Sequence, residues 1–166
     1  MGDNKPALIL GIGNYLMGDE GVGVHAARRL ELEQLPRGVE LVDGGTGGFH
    51  LLSFFHEYDP IVLIDATMDG RPPGTVRLLK PKFASDFPRS LGAHDIGLRD
   101  LIESAVLTKD LPRIFLVTVS IDRIESGRTV LSPAVQLALD QVVETVMGIV
   151  KMEGRKQRIV SMLRSA

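Results

Sequence analysis

The stretch ALILGIGNYLMGDEGVG, residues 7–23, decides the fold. Five of its first six residues are apolar, which is typical of a strand buried on both faces of a parallel sheet. Gly11, Gly13 and Asn14 follow, and these residue types accept the backbone of a sharp turn. The next residues predict a helix over 21–35. A strand, a tight turn and a helix in this order favour an open α/β sheet, which binds ligands at the carboxyl ends of its strands.

Two adjacent carboxylates, Asp19 and Glu20, lie in this turn and are candidates for chemistry. The order of elements also suggests a dinucleotide-binding domain, but that fingerprint requires G-x-G-x-x-G and Leu16 occupies the place of the last glycine. The two acids would repel a phosphate. Asp43, at the end of the second predicted strand, is the residue that a ribose hydroxyl would need. A nucleotide-binding domain that uses the GIGN turn and Asp43 is therefore the alternative.

Further elements are predicted along the chain. IVLID, residues 61–65, is a buried strand that ends in Asp65, which suits either a site residue or a cap for the following turn. His94 stands just before a predicted helix capped by Asp95, where the helix dipole favours the neutral, metal-binding form of the imidazole. Predicted strands cover 7–12, 39–43, 61–65, 75–79 and 113–121, and predicted helices cover 21–35, 49–58, 96–107 and 133–152.

Composition limits the classes of function. The chain has 166 residues, which predicts one domain over 1–152 followed by a basic tail, 153–166, of unknown role. The absence of cysteine excludes thiolate nucleophiles and cysteine-bound metals. A net charge of −2 gives no reason to expect nucleic acid as a partner. No membrane-length apolar run or signal-peptide core is recognised, and we expect a cytoplasmic protein with no membrane partner.

Four separated motifs in order resemble those of the hydrogenase maturation endopeptidases, which trim the carboxyl tail of nickel-iron hydrogenase large subunits. They are GIGNYLMGDEGVG (11–23), DGGT (43–46), the strand that ends in Asp65, and SLGAHDIGL (90–98). The resemblance covers about residues 7–150. It implies a three-layer α/β/α sandwich with a mixed five-stranded sheet, in strand order 2-1-3-5-4 with the fourth strand antiparallel.

The resemblance also implies a site. Glu20, Asp65 and His94 match the metal ligands and catalytic residues of the family, and Gly44, Gly45 and Thr46 match a loop beside the substrate cleft. The metal would be nickel already installed in the precursor, although cadmium or zinc also suits two oxygens and one imidazole. The expected partner is a large-subunit precursor, and the expected state is a monomer. A second alternative is a relative that grips the nickel centre without cutting.

Overall fold

A computed structural model describes residues 5–88, 102, 103, 105 and 111–165. The strands are β1 (Ala7–Ile12), β2 (Val39–Gly45), β3 (Ile61–Thr67), β4 (Val76–Leu79) and β5 (Ile114–Ser120). They form one sheet in the order β2-β1-β3-β5-β4, and all neighbours are parallel except β4 and β5. This is the predicted strand order, including the antiparallel fourth strand.

Helices cover both faces of the sheet, which confirms the predicted three-layer sandwich. The helices are α1 (Val22–Leu30), α2 (Leu52–Glu57) and α3 (Pro133–Ser165), with short 3-10 turns at Gly18–Gly21, Gly48–Leu51 and Ala84–Asp86. One core cluster joins α1 and α3 to one face, and a second joins α2 and the helical residues 102 and 105 to the other.

Burial explains why some strands are continuous apolar runs in the sequence. Every residue of β1, β3 and β5 is buried, because each of these strands has neighbours on both sides and helices above and below. The edge strands β2 and β4 are only partly buried. The three central strands therefore carry most of the core, and their carboxyl ends lie at one edge of the sheet.

The first helix is shorter than the sequence predicted. It ends at Leu30 and not at residue 35, and the exposed fraction of Leu32 is 77%. Leu35 still packs against the core, but from the irregular segment before Pro36 and not from the helix. A residue that precedes proline disfavours helical backbone, so the chain leaves the helix before it reaches that point.

The last helix is longer than predicted and runs through the proposed tail. Glu153 is 2% exposed, and its carboxylate lies 2.6 Å from Arg113 Nη1 at the start of β5 and 2.8 Å from Lys156 Nζ. An ion pair to the sheet therefore lies just beyond the boundary placed at residue 152. Over 133–164 the helix is long and apolar enough to cross a membrane by length and composition alone, and half of its most apolar window is buried in this fold, so it is weak evidence for a membrane span.

Candidate functional site at the carboxyl edge of the sheet

Glu20 lies in the 3-10 turn between β1 and α1 and is 1% exposed. Its Oε2 atom accepts a hydrogen bond of 2.6 Å from the backbone N–H of Asn14. The side chain of Asn14 in turn accepts a bond of 3.0 Å from the N–H of Leu16. The glycine turn therefore folds around the Glu20 carboxylate and holds it at the end of β1.

Asp65 lies inside β3, which continues two residues beyond the predicted end. Ala66 and Thr67 stay in the strand because they pair with Val119 and Ser120 of β5. Asp65 is 1% exposed, and its Oδ1 atom accepts a bond of 2.8 Å from the N–H of Ala66. The carboxylate is thus a buried group of the sheet and not the cap of a following turn.

A close backbone contact brings the two carboxylates to the same edge. Gly23, in the first turn of α1, lies against the ends of both β1 and β3. A Cβ atom at this position would come 2.1 Å from the Ile12 carbonyl oxygen and 2.5 Å from that of Ile64. Glu20 is three residues before Gly23, and Asp65 follows Ile64. The missing side chain at residue 23 thus lets the turn with Glu20 settle beside the strand with Asp65.

The DGGT loop meets the same turn. Gly45 ends β2, and its carbonyl oxygen accepts a bond of 2.9 Å from the N–H of Gly13. A Cβ atom on Gly44 would come 2.8 Å from Leu10 Cδ1, whereas Thr46 is exposed. Three of the four motifs therefore converge at one edge of the sheet.

The fourth predicted site residue, His94, lies outside the described residues. Among the residues that the structure describes, no group of three or more histidine, aspartate or glutamate side chains is close enough to hold a metal ion. The described part of the site supplies two buried carboxylates, whose oxygens suit a divalent cation. The donor set fits such an ion once an imidazole completes it.

Comparison with known proteins identifies the family. Residues 24–149 match the family model described as hydrogenase maturation protease. The hydrogenase 2 maturation protease of Escherichia coli strain K12 is 31% identical, over 89% of this chain and 92% of that protein. The chain belongs to the hydrogenase maturation protease family. Solved structures agree with this assignment: the E. coli endopeptidase HybD matches with a TM-score of 0.80 at 31% identity, over 90% of this chain and 94% of that one.

A second solved structure adds a more distant member of the family. The [NiFe] hydrogenase maturation protease HybD from Thermococcus kodakarensis matches with a TM-score of 0.70 at 26% identity, over 87% of this chain and 99% of that one. The protein is therefore an endopeptidase of the hydrogenase maturation protease family, with the fold that its relatives have.

In this maturation protease, both groups on which the nucleotide-binding alternative depends already make other hydrogen bonds. The N–H of Asn14, which a phosphate would need, is already bonded to the Glu20 carboxylate. Asp43 is exposed and uses its Oδ1 atom to accept a bond of 3.0 Å from the N–H of Gly45. The two groups that would hold a dinucleotide instead shape the turns of the candidate site.

Asp19 joins the candidate site to the segment that precedes α3. It is 4% exposed, and its Oδ1 atom accepts a bond of 2.6 Å from the N–H of Ser132, which immediately precedes α3. The same turn pairs with the loop after β5 through a bond of 2.7 Å from the N–H of Gly18 to the Arg128 carbonyl oxygen. Asp19 thus ties the turn that carries Glu20 to the start of α3.

Sequence reasoning missed two hydroxyl residues beside Asp65. Thr118 and Ser120 of β5 are each 0% exposed, and Thr118 pairs in register with Asp65. A signal was present in the sequence, because the otherwise apolar strand reads LVTVS and places hydroxyls at alternate positions. Alternate residues of a strand face the same side, so both hydroxyls share the face that carries Asp65.

Proposed function

We propose that this maturation protease removes a carboxyl-terminal peptide from the nickel-loaded precursor of a nickel-iron hydrogenase large subunit. Glu20, Asp65 and His94 would contact the nickel of the precursor, which is part of the substrate. The protein would then read the presence of nickel as the signal that the precursor is ready for processing.

A single observation carries this proposal: two carboxylates, each 1% exposed, lie at one edge of the sheet beside a glycine loop. Burying a carboxylate is costly unless it is hydrogen-bonded or holds a cation. Glu20 accepts a bond from the backbone N–H of Asn14, and Asp65 accepts one from that of Ala66. Carboxylate oxygens are also ligands of divalent metal ions, so both groups suit contact with a metal ion in the substrate.

The same residues suit the hydrolysis of a peptide bond. Nickel in the precursor would polarise the scissile carbonyl group or an attacking water. One carboxylate accepts a proton from the water as its oxygen bonds to the carbonyl carbon. The carbon–nitrogen bond then breaks, and the proton passes to the nitrogen of the leaving peptide. We assign base and ligand duties jointly to Glu20 and Asp65, with His94 as a ligand.

The test compares nickel-loaded and nickel-free precursor from the same organism, each incubated with the protein and weighed by mass spectrometry. We expect loss of a short carboxyl-terminal peptide from the loaded form alone. Cleavage of both forms would contradict the role of nickel as the signal. Cleavage of neither form, with folded precursor, would contradict the proposed function and favour a binding role.

Single substitutions test the roles of Glu20, Asp65 and His94 in cleavage. Glu20→Gln keeps an oxygen that can accept the Asn14 N–H, and Asp65→Asn keeps one for Ala66, so both should fold. We expect cleavage to fall by about 10²–10⁴-fold in each, the usual effect of losing a general base, and to fall strongly in His94→Ala. Glu33→Gln is the matched control, because Glu33 lies on the surface in an ion pair with Arg29. A wild-type rate in His94→Ala would contradict the shared metal site.

The remaining parts of the proposal concern the surroundings of the site. We place the precursor chain along Gly44, Gly45 and Thr46, because glycine lets another backbone approach closely. The monomeric state and the cytoplasmic location stay predictions from the sequence. A sizing column and cell fractionation test them directly.

A further inference from the structure

The face of the sheet that carries Asp65 changes from apolar to polar along β3 and β5. Four pairs of residues stand in register across these two strands on this face. The first two pairs are apolar and the last two are polar: Ile61 with Ile114, Leu63 with Leu116, Asp65 with Thr118, and Thr67 with Ser120. Each member of the two polar pairs is at most 1% exposed. A buried polar block therefore begins at Asp65.

Thr118 is a member of this block whose hydroxyl group folding does not explain. Its Oγ1 atom is buried and has no hydrogen-bond partner within the described residues. A buried hydroxyl without a partner costs about 1–3 kcal/mol. Val117 and Val119, its neighbours along β5, are fully buried valines, and valine has nearly the same shape as threonine. The hydroxyl at this position thus lowers stability relative to a valine.

Ser120 differs from Thr118 in its register and not in its partners. Its Oγ atom is also buried without a hydrogen-bond partner within the described residues. It pairs with Thr67, one pair further along the two strands than Asp65. Of the two hydroxyls of β5, only that of Thr118 is therefore in register with Asp65.

We propose that Thr118 is a positioning residue for Asp65, an inference that rests on the proposed function. Neighbouring strands lie about 4.8 Å apart, and paired residues of parallel strands point to the same face. When the Asp65 carboxylate engages the nickel of the precursor, the Thr118 hydroxyl donates a hydrogen bond to it and fixes its orientation. Such partners of ligating groups are worth about 10–100-fold in metal affinity or activity.

The experiment separates this role from a structural one through stability and cleavage measured on the same variants. Thr118→Val removes only the hydroxyl, so it should melt at or above the wild-type temperature, yet cleave the loaded precursor about 10–100-fold more slowly. Thr118→Ser should retain most of the rate. Ser120→Ala is the matched control: it removes a buried hydroxyl from the next pair and should cleave as wild type. If Thr118→Val does not fold, stability and cleavage are compared between Thr118→Ala and Thr118→Ser instead.

Calorimetric titration with nickel alone gives a readout that does not depend on cleavage. We expect weaker binding to Thr118→Val than to wild type, and unchanged binding to Ser120→Ala. Wild-type cleavage and nickel binding in Thr118→Val would overturn the inference and leave the proposed function standing. If the wild-type protein cleaves no precursor, the proposed function fails. The inference then fails as well, unless Thr118→Val still binds nickel more weakly than Ser120→Ala.

Discussion

Tyr58 ties the end of α2 to the edge strand β2 through a single side-chain bond. Its hydroxyl donates to Glu40 Oε2 at 2.5 Å, and the ring is 8% exposed. The bond to the Glu40 carboxylate, assisted by burial, raises the pKa of Tyr58 to about 12. A phenol whose pKa is raised in the folded state holds its proton more tightly there than in the unfolded chain.

Loss of this bond should be visible at high pH. The contribution of Tyr58 to stability is complete below pH 10, its ordinary pKa, and is lost as the pH rises to about 12. In a spectrophotometric titration the wild type should show a tyrosinate step near the upper value, and Tyr58→Phe should lack it. Tyr15 is the only other tyrosine, so Tyr15→Phe is the control and should keep the upper step. An upper step that survives in Tyr58→Phe would contradict the assignment.

The first turn of α1 depends on a missing side chain. An alanine Cβ at residue 23 would meet two backbone carbonyl oxygens, of Ile12 and Ile64, at 2.5 Å or less. The backbone of a buried strand cannot shift without disturbing its neighbours. Gly23→Ala should therefore lower the free energy of unfolding by about 1–3 kcal/mol or more. Gly148→Ala in α3 is the control, since nothing lies within 4 Å of its Cβ position. That change should stabilise the helix by about 0.5–1 kcal/mol.

Urea denaturation of the two variants measures both free energies of unfolding. We also expect Gly23→Ala to lose cleavage, because the turn that holds Glu20 would shift away from Asp65. Equal stability of the two alanine variants would show that α1 adjusts its position at little cost.

The start of α3 depends on a carboxylate from the other end of the chain. Asp19→Ala leaves the N–H of Ser132 without its acceptor, which should lower the free energy of unfolding by about 1–3 kcal/mol. Cleavage should fall less than in Glu20→Gln, because the active groups stay in place. Asp19→Asn keeps an acceptor oxygen and should lie close to wild type. If Asp19→Ala lost activity as completely as Glu20→Gln with its fold intact, Asp19 would be part of the chemistry.

At the scale of the whole molecule, Arg113 joins the sheet to the last helix on the side opposite the site. Its guanidinium lies 2.8 Å from Asp59 and 2.6 Å from Glu153. Burial raises the pKa of the Glu153 carboxyl, but bonds from Lys156 and Arg113 outweigh burial and lower it. A lowered pKa means that the stabilisation is present above pH 4.5, the ordinary value, and is lost as the pH falls further.

Arg113→Ala should therefore lower the free energy of unfolding by about 1–2 kcal/mol at neutral pH, because Arg113 is 53% exposed and screened by solvent, whereas its partner Glu153 is buried. The difference from wild type should shrink in acid. Arg123→Ala is the control, because Arg123 is 64% exposed and its pair with Glu125 spans 3.6 Å. Exposed pairs contribute below about 1 kcal/mol. Equal effects of the two variants in urea denaturation would mean that the last helix does not depend on this link.

Short-range sequence patterns predicted many of the strands of this protein and the position of its candidate site. Buried parallel strands are continuous apolar runs, so β1, β3 and β5 were recognisable without a structure. Carboxylates placed at the ends of such runs had to meet at one edge, which located Glu20 and Asp65. The order of the strands came from the family resemblance, since periodicity does not say which strands are neighbours. The roles of the site residues, and of His94 above all, stay predictions.

Only the tertiary structure decided how distant residues share their contacts. The bond from Ser132 to Asp19 joins residues 113 positions apart, and that from Arg113 to Glu153 spans 40. The pairing of Thr118 with Asp65 depends on the register of two strands that are separated by residues 68–113. Composition and periodicity describe each segment by itself. Which carboxylate holds the backbone just before a remote helix, and which hydroxyl stands beside Asp65, follows from packing those segments against one another.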